Sequence, residues 1–116
     1  MANVQLKSIT FPGLENVYTI PASVDRVEVT GSTPSITAQA DKRYICSTVT
    51  SISITPPESG MCDVVFTSGS TAAQLTIPNT VMLPGWFDPD SLEANTVYEI
   101  NILDGLYGTV MTWQTS

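Results

Sequence analysis

Histidine is absent from this chain of 116 residues, lysine and arginine together number four, and cysteine two. Each scarcity excludes a class of chemistry. Without imidazole the commonest general base is missing, and neither a Ser-His nor a Cys-His nucleophile can be assembled. Two thiols and no histidine fall short of the ligands that zinc requires. The bases Lys7, Arg26, Lys42 and Arg43 form no run that could track a phosphate backbone, and eleven acids bring the net charge to −7, so no nucleic-acid partner is expected. Apolar runs are a few residues long, well short of the roughly 20 that cross a bilayer as a helix, and the acidic charge repels anionic lipid, which argues against membrane insertion. The N-terminal MANVQLKSITF has neither the basic region nor the long apolar core of a secretory signal, and points to a product made and folded in a cytoplasm.

What is present suits β structure. Hydrophobic residues make up 42% and charged residues 13%, with 28 Ser and Thr and frequent Val and Ile. Such a polar but weakly charged mixture fits strands with one wet face, and disorder would need less apolar content and more charge. The length suits a single domain, residues 1–116, with one core.

Ten extended segments are predicted, over residues 5–10, 17–20, 26–30, 35–38, 43–47, 51–55, 63–67, 74–77, 96–103 and 109–114. They are separated by Pro12-Gly13, Pro21, Gly31 to Pro34, Pro56 to Gly60, Ser68-Gly69-Ser70 and Pro84-Gly85, where proline removes a ladder donor or glycine admits positive φ. Many short strands with frequent turns predict an all-β fold, an antiparallel β-sandwich or a small jelly-roll-like barrel.

The stretch from Pro84 to Trp113 is the richest in local signals. Asp104-Gly105 separates TVYEINIL from LYGTVMTWQ, as in a tight hairpin whose turn residues take positive φ. Tyr98, Ile100 and Ile102 alternate with Val97, Glu99 and Asn101, the period of a half-buried strand. Met111 and Trp113 are placed on the core face of the returning strand. Asp88-Pro89-Asp90 reads as a capped helix start, predicting one short helical turn near 89–94. Trp86 and Phe87 then precede the cap and cover an open end of the core.

Cys46 and Cys62 are expected as two buried thiols, although a hairpin from Ile45 to Val65 would bring them near enough to bridge. Two echoes invite comparison: Thr19-Ile20-Pro21 with Thr76-Ile77-Pro78, and Gly31-Ser32-Thr33 with Gly69-Ser70-Thr71. Their offsets, 57 and 38 residues, share no period, so similar strand-to-turn chemistry is the simpler account and no duplicated domain is expected.

Candidate sites are few. Asp88, Asp90, Glu93 and Glu99 are the nearest clustered acids, yet glycosidic chemistry needs a fixed carboxylate separation that spacing does not supply. The first three match no calcium-loop pattern, and capping already accounts for two of them. Trp86 and Tyr107 are the residues on which a sugar platform would be built, against the usual fate of large aromatics in a small core. Ser68-Gly69-Ser70 has no lysine and no helix behind it and is read as a turn. No catalytic residue, metal or cofactor is assigned. The first strand carries Val4, Leu6, Ile9 and Phe11 in partly alternating register, which makes residues 1–43 N-terminal strands or a docking arm and 44–116 a β module.

Thr67 to Thr71, Leu75-Thr76-Ile77-Pro78, Trp86-Phe87-Asp88-Pro89, Leu92 to Thr96, Tyr98 to Ile102, Asp104-Gly105 and Tyr107-Gly108 to Trp113 together resemble a C-terminal module of small structural proteins of tailed bacteriophages and prophages of Firmicutes-type gut bacteria. The likeness spans Tyr44 to Trp113, roughly 60% of the chain, and Ile9 to Leu14 resembles the lead-in of such proteins. It implies a non-enzymatic virion component, with other virion proteins as partners, and the lack of a coiled-coil or collagen-like shaft in the sequence then favours a capsid decoration or head-fibre type accessory protein. It transfers no binding or catalytic residues. By analogy with phage appendages a homotrimer is expected. The alternative is a tail-fibre or baseplate receptor-binding domain for a host surface carbohydrate. A small lytic glycosidase is the third and weakest possibility.

Overall fold

The computed structural model describes residues 6–10, 17–21 and 25–115. Ten strands are present: β1 Leu6–Thr10, β2 Val17–Pro21, β3 Asp25–Val29, β4 Ser35–Thr37, β5 Lys42–Val49, β6 Ser51–Thr55, β7 Met61–Ser68, β8 Gln74–Thr76, β9 Thr96–Leu103 and β10 Tyr107–Gln114. All ten predicted segments are strands, Ser51–Thr55 and Thr96–Leu103 with the expected bounds.

Their pairing is not the expected one. β1 and β2 form an antiparallel pair in a sheet of their own. From β3 onward the chain alternates between two larger sheets, the first ordered β10-β9-β7-β5-β3 and the second β4-β6-β8. β3, β5 and β7 run parallel to one another, as do β4, β6 and β8, whereas β9 is antiparallel to both β7 and β10. The expected antiparallel sandwich or jelly roll is therefore corrected to two facing sheets wound from parallel strands, closed by one antiparallel hairpin.

The reason lies in the connections. A single residue, Thr50, separates β5 from β6, too little to reverse the chain into a hairpin but enough to turn a corner into another layer. Each second-sheet strand thus becomes the crossover that a parallel pair requires. Coils stack at the corners: Thr50 N donates to Ser32 O at 2.7 Å, and Gln74 N to Thr50 O at 3.0 Å.

Three strands of the first sheet are entered through left-handed backbone. Asp41 (φ 63°), Gly60 (φ 84°) and Asn95 (φ 55°) immediately precede β5, β7 and β9, and Asp, Asn and Gly are the residues that tolerate this region. The parallel first-sheet strands begin at Asp25, Lys42 and Met61, 17 and 19 residues apart. Gly31–Thr33 and Gly69–Thr71 occupy one corner two coils apart, with Thr50 between them. The expectation that the offsets share no period is corrected: 38 and 57 are two and three steps of 19, and the echo of Gly31-Ser32-Thr33 in Gly69-Ser70-Thr71 marks a repeated coil corner.

The core lies between the layers. Val27, Tyr44, Val64, Ile100 and Val110 form one row across the first sheet, facing Ile36, Ile52, Ile54 and Leu75 of the second. Burying each such side chain contributes roughly 1.5–3 kcal/mol relative to exposure. Tyr98, Ile100 and Ile102 are buried as expected, but Met111 and Trp113 are 49% and 47% exposed. They pair with Glu99 and Val97 on the outer face, and only Val110 of β10 enters the core.

The Asp104-Gly105 turn forms as predicted, with φ of 55° and 67° and Leu106 N donating to Leu103 O. It also clasps the corner before β7, for Asp104 N donates to Gly60 O at 2.8 Å and Asp104 Oδ1 accepts from Gly60 N at 2.9 Å. No helix is present at 89–94. Asp88 does bond a following amide, accepting from Asp90 N at 2.9 Å, but Ser91 N closes back on Asp88 O as a single turn. A cap nucleates a helix only when more turns follow, and the chain instead buries Leu92 and reaches Asn95 in the left-handed region.

A Cβ at Gly60 would lie 2.6 Å from Ala40 Cβ, besides the strain of its positive φ. Gly60→Ala is expected to destabilise the fold by about 2–4 kcal/mol in urea unfolding. Asp41→Gly, which relieves the same backbone strain at the preceding corner, should change stability by less than about 1 kcal/mol.

Candidate functional site

The outer face of the first sheet holds a charge cluster. Register places Arg43 beside Asp63 and Asp63 beside Asn101, while Glu99 sits between Val65 and Met111. Arg43 pairs with both acids, Nε to Asp63 Oδ2 at 3.3 Å and Nη2 to Glu99 Oε2 at 3.5 Å. Glu99 is 4% exposed, and its Oε2 forms no hydrogen bond despite the ion pair. One guanidinium thus balances two carboxylates by charge rather than by well-aligned bonds. The alternation correctly placed Glu99 opposite the core face of β9. Its partners were not legible, because parallel register brings Arg43, Asp63 and Glu99 together from three separate segments.

The expected acid cluster does not converge. Asp88, Asp90 and Glu93 are exposed on the loop before β9, whereas Glu99 belongs to the sheet cluster. Among the described residues no three His, Cys, Asp or Glu side chains are grouped as metal ligands. An open cleft of about 410 Å³ lies beside the loop, lined by Leu75, Ile77, Val81, Leu83, Pro89 and Asp90 among others. Its one charged lining residue leaves little for chemistry.

The aromatics divide. Phe87 is buried and stacks its edge against Tyr98 at 5.9 Å, and Tyr98 lies on Phe66 at 5.4 Å. Trp86 meets Phe87 edge-on at 5.8 Å but remains 64% exposed. Of the expected lid, then, Phe87 seals the core and Trp86 stands in solvent. Tyr107 is half exposed on β10, and among the described residues no ring contact joins it to Trp86. Of the docking candidates, Val4 and Phe11 lie outside the described residues, and Leu6 and Ile9 fall in β1, paired with β2.

Both cysteines are free and buried. The hairpin that would have joined them is replaced by parallel neighbours, in which Cys62 pairs with Lys42 and Cys46 lies four residues further along β5. That is about 13 Å of strand, beyond the roughly 7 Å Cα separation that a bridge tolerates.

Burial pushes both thiols up from their ordinary 9.0 to about 11. The native protein at about pH 8 should therefore leave both unreacted toward a thiol reagent that labels two per unfolded chain. Because the folded state holds these protons more tightly, their contribution to stability is complete below pH 9 and lost as pH rises through 11. At the charge cluster, Arg43→Met leaves Glu99 buried without its cation. A loss of about 2–4 kcal/mol is expected by denaturant titration, and Arg43→Met with Glu99→Gln should recover part of it.

Comparison with protein-family models, with curated proteins and with solved structures returned no match. The function is then to be sought in the chain's own surfaces.

Proposed function

We propose that the chain is a non-enzymatic structural protein of a tailed-phage virion, made in the bacterial host cytoplasm and placed on the particle surface as a capsid decoration or head-fibre type accessory. One observation carries the emphasis on surfaces. Among the described residues, the large hydrophobic side chains left exposed are Met82, Trp86, Leu106, Tyr107, Met111 and Trp113, all within the C-terminal third. Scattered exposed apolar groups are ordinary, but Tyr107, Met111 and Trp113 alternate along β10 and so share one face of it, and exposed apolar groups gathered on one face mark a contact surface. The virion assignment itself is supported by the resemblance of residues 44–113. The missing imidazole further disfavours the usual hydrolase designs.

A second reading, a receptor-binding domain for host carbohydrate, is favoured by Trp86 alone, since a solvated indole backed by Phe87 is a stacking surface for a sugar ring. The acidic net charge is neutral toward that choice.

Electron cryomicroscopy of particles from a lysogen that encodes this chain tests both readings. Density for the fold on the capsid surface is expected. A distal tail position transfers the assignment to receptor binding, and absence from purified particles overturns the virion reading. Deleting residues 1–13 should abolish particle occupancy while leaving the melting transition of the remaining chain in place, if the N-terminal segment docks. Loss of the transition would instead make it part of the fold.

A further inference from the structure

The first sheet has two outer strands, β3 and β10, and they are guarded differently. β3 carries Asp25, Arg26 and Glu28, all exposed, the charged dressing that keeps an edge from pairing. β10, YGTVMTWQ, is eight residues long with no charge and no proline. The outer strands of the second sheet, β4 and β8, have three residues each. A long, neutral edge like β10 is a template for another strand.

Backbone alternation identifies which of its groups have no partner among the described residues. Gly108 N donates away from β9, to Met82 O at 2.9 Å, and Met82 N donates to Leu106 O at 2.6 Å. This bridge covers the start of the edge. Successive residues turn their amide and carbonyl groups to opposite sides of a strand. Val110, Thr112 and Gln114 therefore point outward as Gly108 does, and the open stretch from Val110 to Gln114 is centred on Thr112.

In place of the homotrimer expected by analogy, we propose that two copies of this chain pair through β10, antiparallel about a two-fold axis at Thr112, joining two five-stranded sheets into one. This centre alone leaves every outward residue of the open stretch paired. Moving it to Val110 would set Thr112 against the partner's Gly108, whose amide is already taken by Met82. Thr112 meets its own image, a favourable cross-strand pair. On the outer face Met111 of each copy meets the partner's Trp113, and each is about half exposed in the single chain. A thioether against an indole edge adds to the burial. Self-complementarity selects a second copy for this edge: the two-fold sets Thr112 on its image and Met111 on Trp113, and β10, neutral throughout, brings none of the −7 of either chain into the contact. The contact spans only five residues of each copy, and a dissociation constant in the micromolar range is expected.

Sedimentation equilibrium of the whole chain between about 1 and 200 µM tests this. The apparent mass should rise from 12.4 kDa toward twice that value. Thr112→Pro removes an amide that faces away from β9, and Met111→Lys places a charge beside the edge. Each should raise the dissociation constant at least about tenfold with the far-ultraviolet spectrum and melting unchanged. If the proline variant fails to fold, the lysine variant carries the test. A chain that remains monomeric at the highest concentration, a mass of three chains, or association that the folded variants leave unaltered overturns the proposal.

Discussion

The switch of sheet after every strand from β3 to β8 is the constraint on which the rest of the molecule depends. Short corners, Thr50 alone between β5 and β6, prevent neighbouring strands from folding back on one another. The chain must climb, and each strand then pairs with the one a full coil earlier. Main-chain bonds between coils satisfy the backbone, while the facing rows of Ile36, Ile52 and Ile54 against Tyr44, Val64 and Phe66 remove apolar surface from water. Neither half suffices alone, because a two-layer core needs both sheets present.

A wound sheet of this kind has ends as well as sides, and the chain treats its C-terminal end with an antiparallel hairpin. β9 closes on β7 over eight residues, with Ser68 beside Thr96 and both buried. Ser68 Oγ accepts from Ala73 N at 2.9 Å, so the buried hydroxyl is satisfied inside the next corner. The Asp104–Gly60 clasp then fastens the hairpin tip to a coil corner, and Gly105 sits where a Cβ would approach Pro57 O to 2.9 Å. The turn residues thus serve two geometries at once. Asp104 and Gly105 reverse the chain and also let it lie against the loop from Pro56 to Gly60.

Strand positions were legible because the alternation of Ile52 and Ile54, or Tyr98, Ile100 and Ile102, reports burial of one face whatever the neighbour's direction. Direction was not legible, since parallel and antiparallel strands share that period. The coil was nevertheless written in the spacing. Asp41, Gly60 and Asn95 stand before their strands as residues suited to left-handed backbone, and the glycine-led corners recur at a multiple of 19. Met111 and Trp113 were misplaced for a different reason. Large apolar residues in a strand ordinarily face the core, but the register that sets Val110 against Ile100 turns its two neighbours outward. The short helix failed because Asp88-Pro89-Asp90 is equally suited to a single turn. Of the site residues, Glu99 was placed on the correct face, while its ion pair with Arg43 needed a register that no local pattern carries.

Charge and its absence divide the surface into parts with different consequences. Asp25, Arg26 and Glu28 protect the edge where the winding begins, and the charge of Arg43 offsets those of Asp63 and Glu99 on the sheet. An acidic protein kept apart from its copies by repulsion can still assemble where the field is weakest. β10 carries no charge of its own, Glu99 beside Met111 is paired with Arg43, and the outer face gains Val97, Val65 and Ile45 from the neighbouring strands and Met111 and Trp113 from β10 itself. Burying these against another strand would extend a sheet that is already regular, with little backbone left to order. A small particle component gains from such an arrangement, because the rigidity that fixes the edge comes from the coils behind it and not from the contact itself.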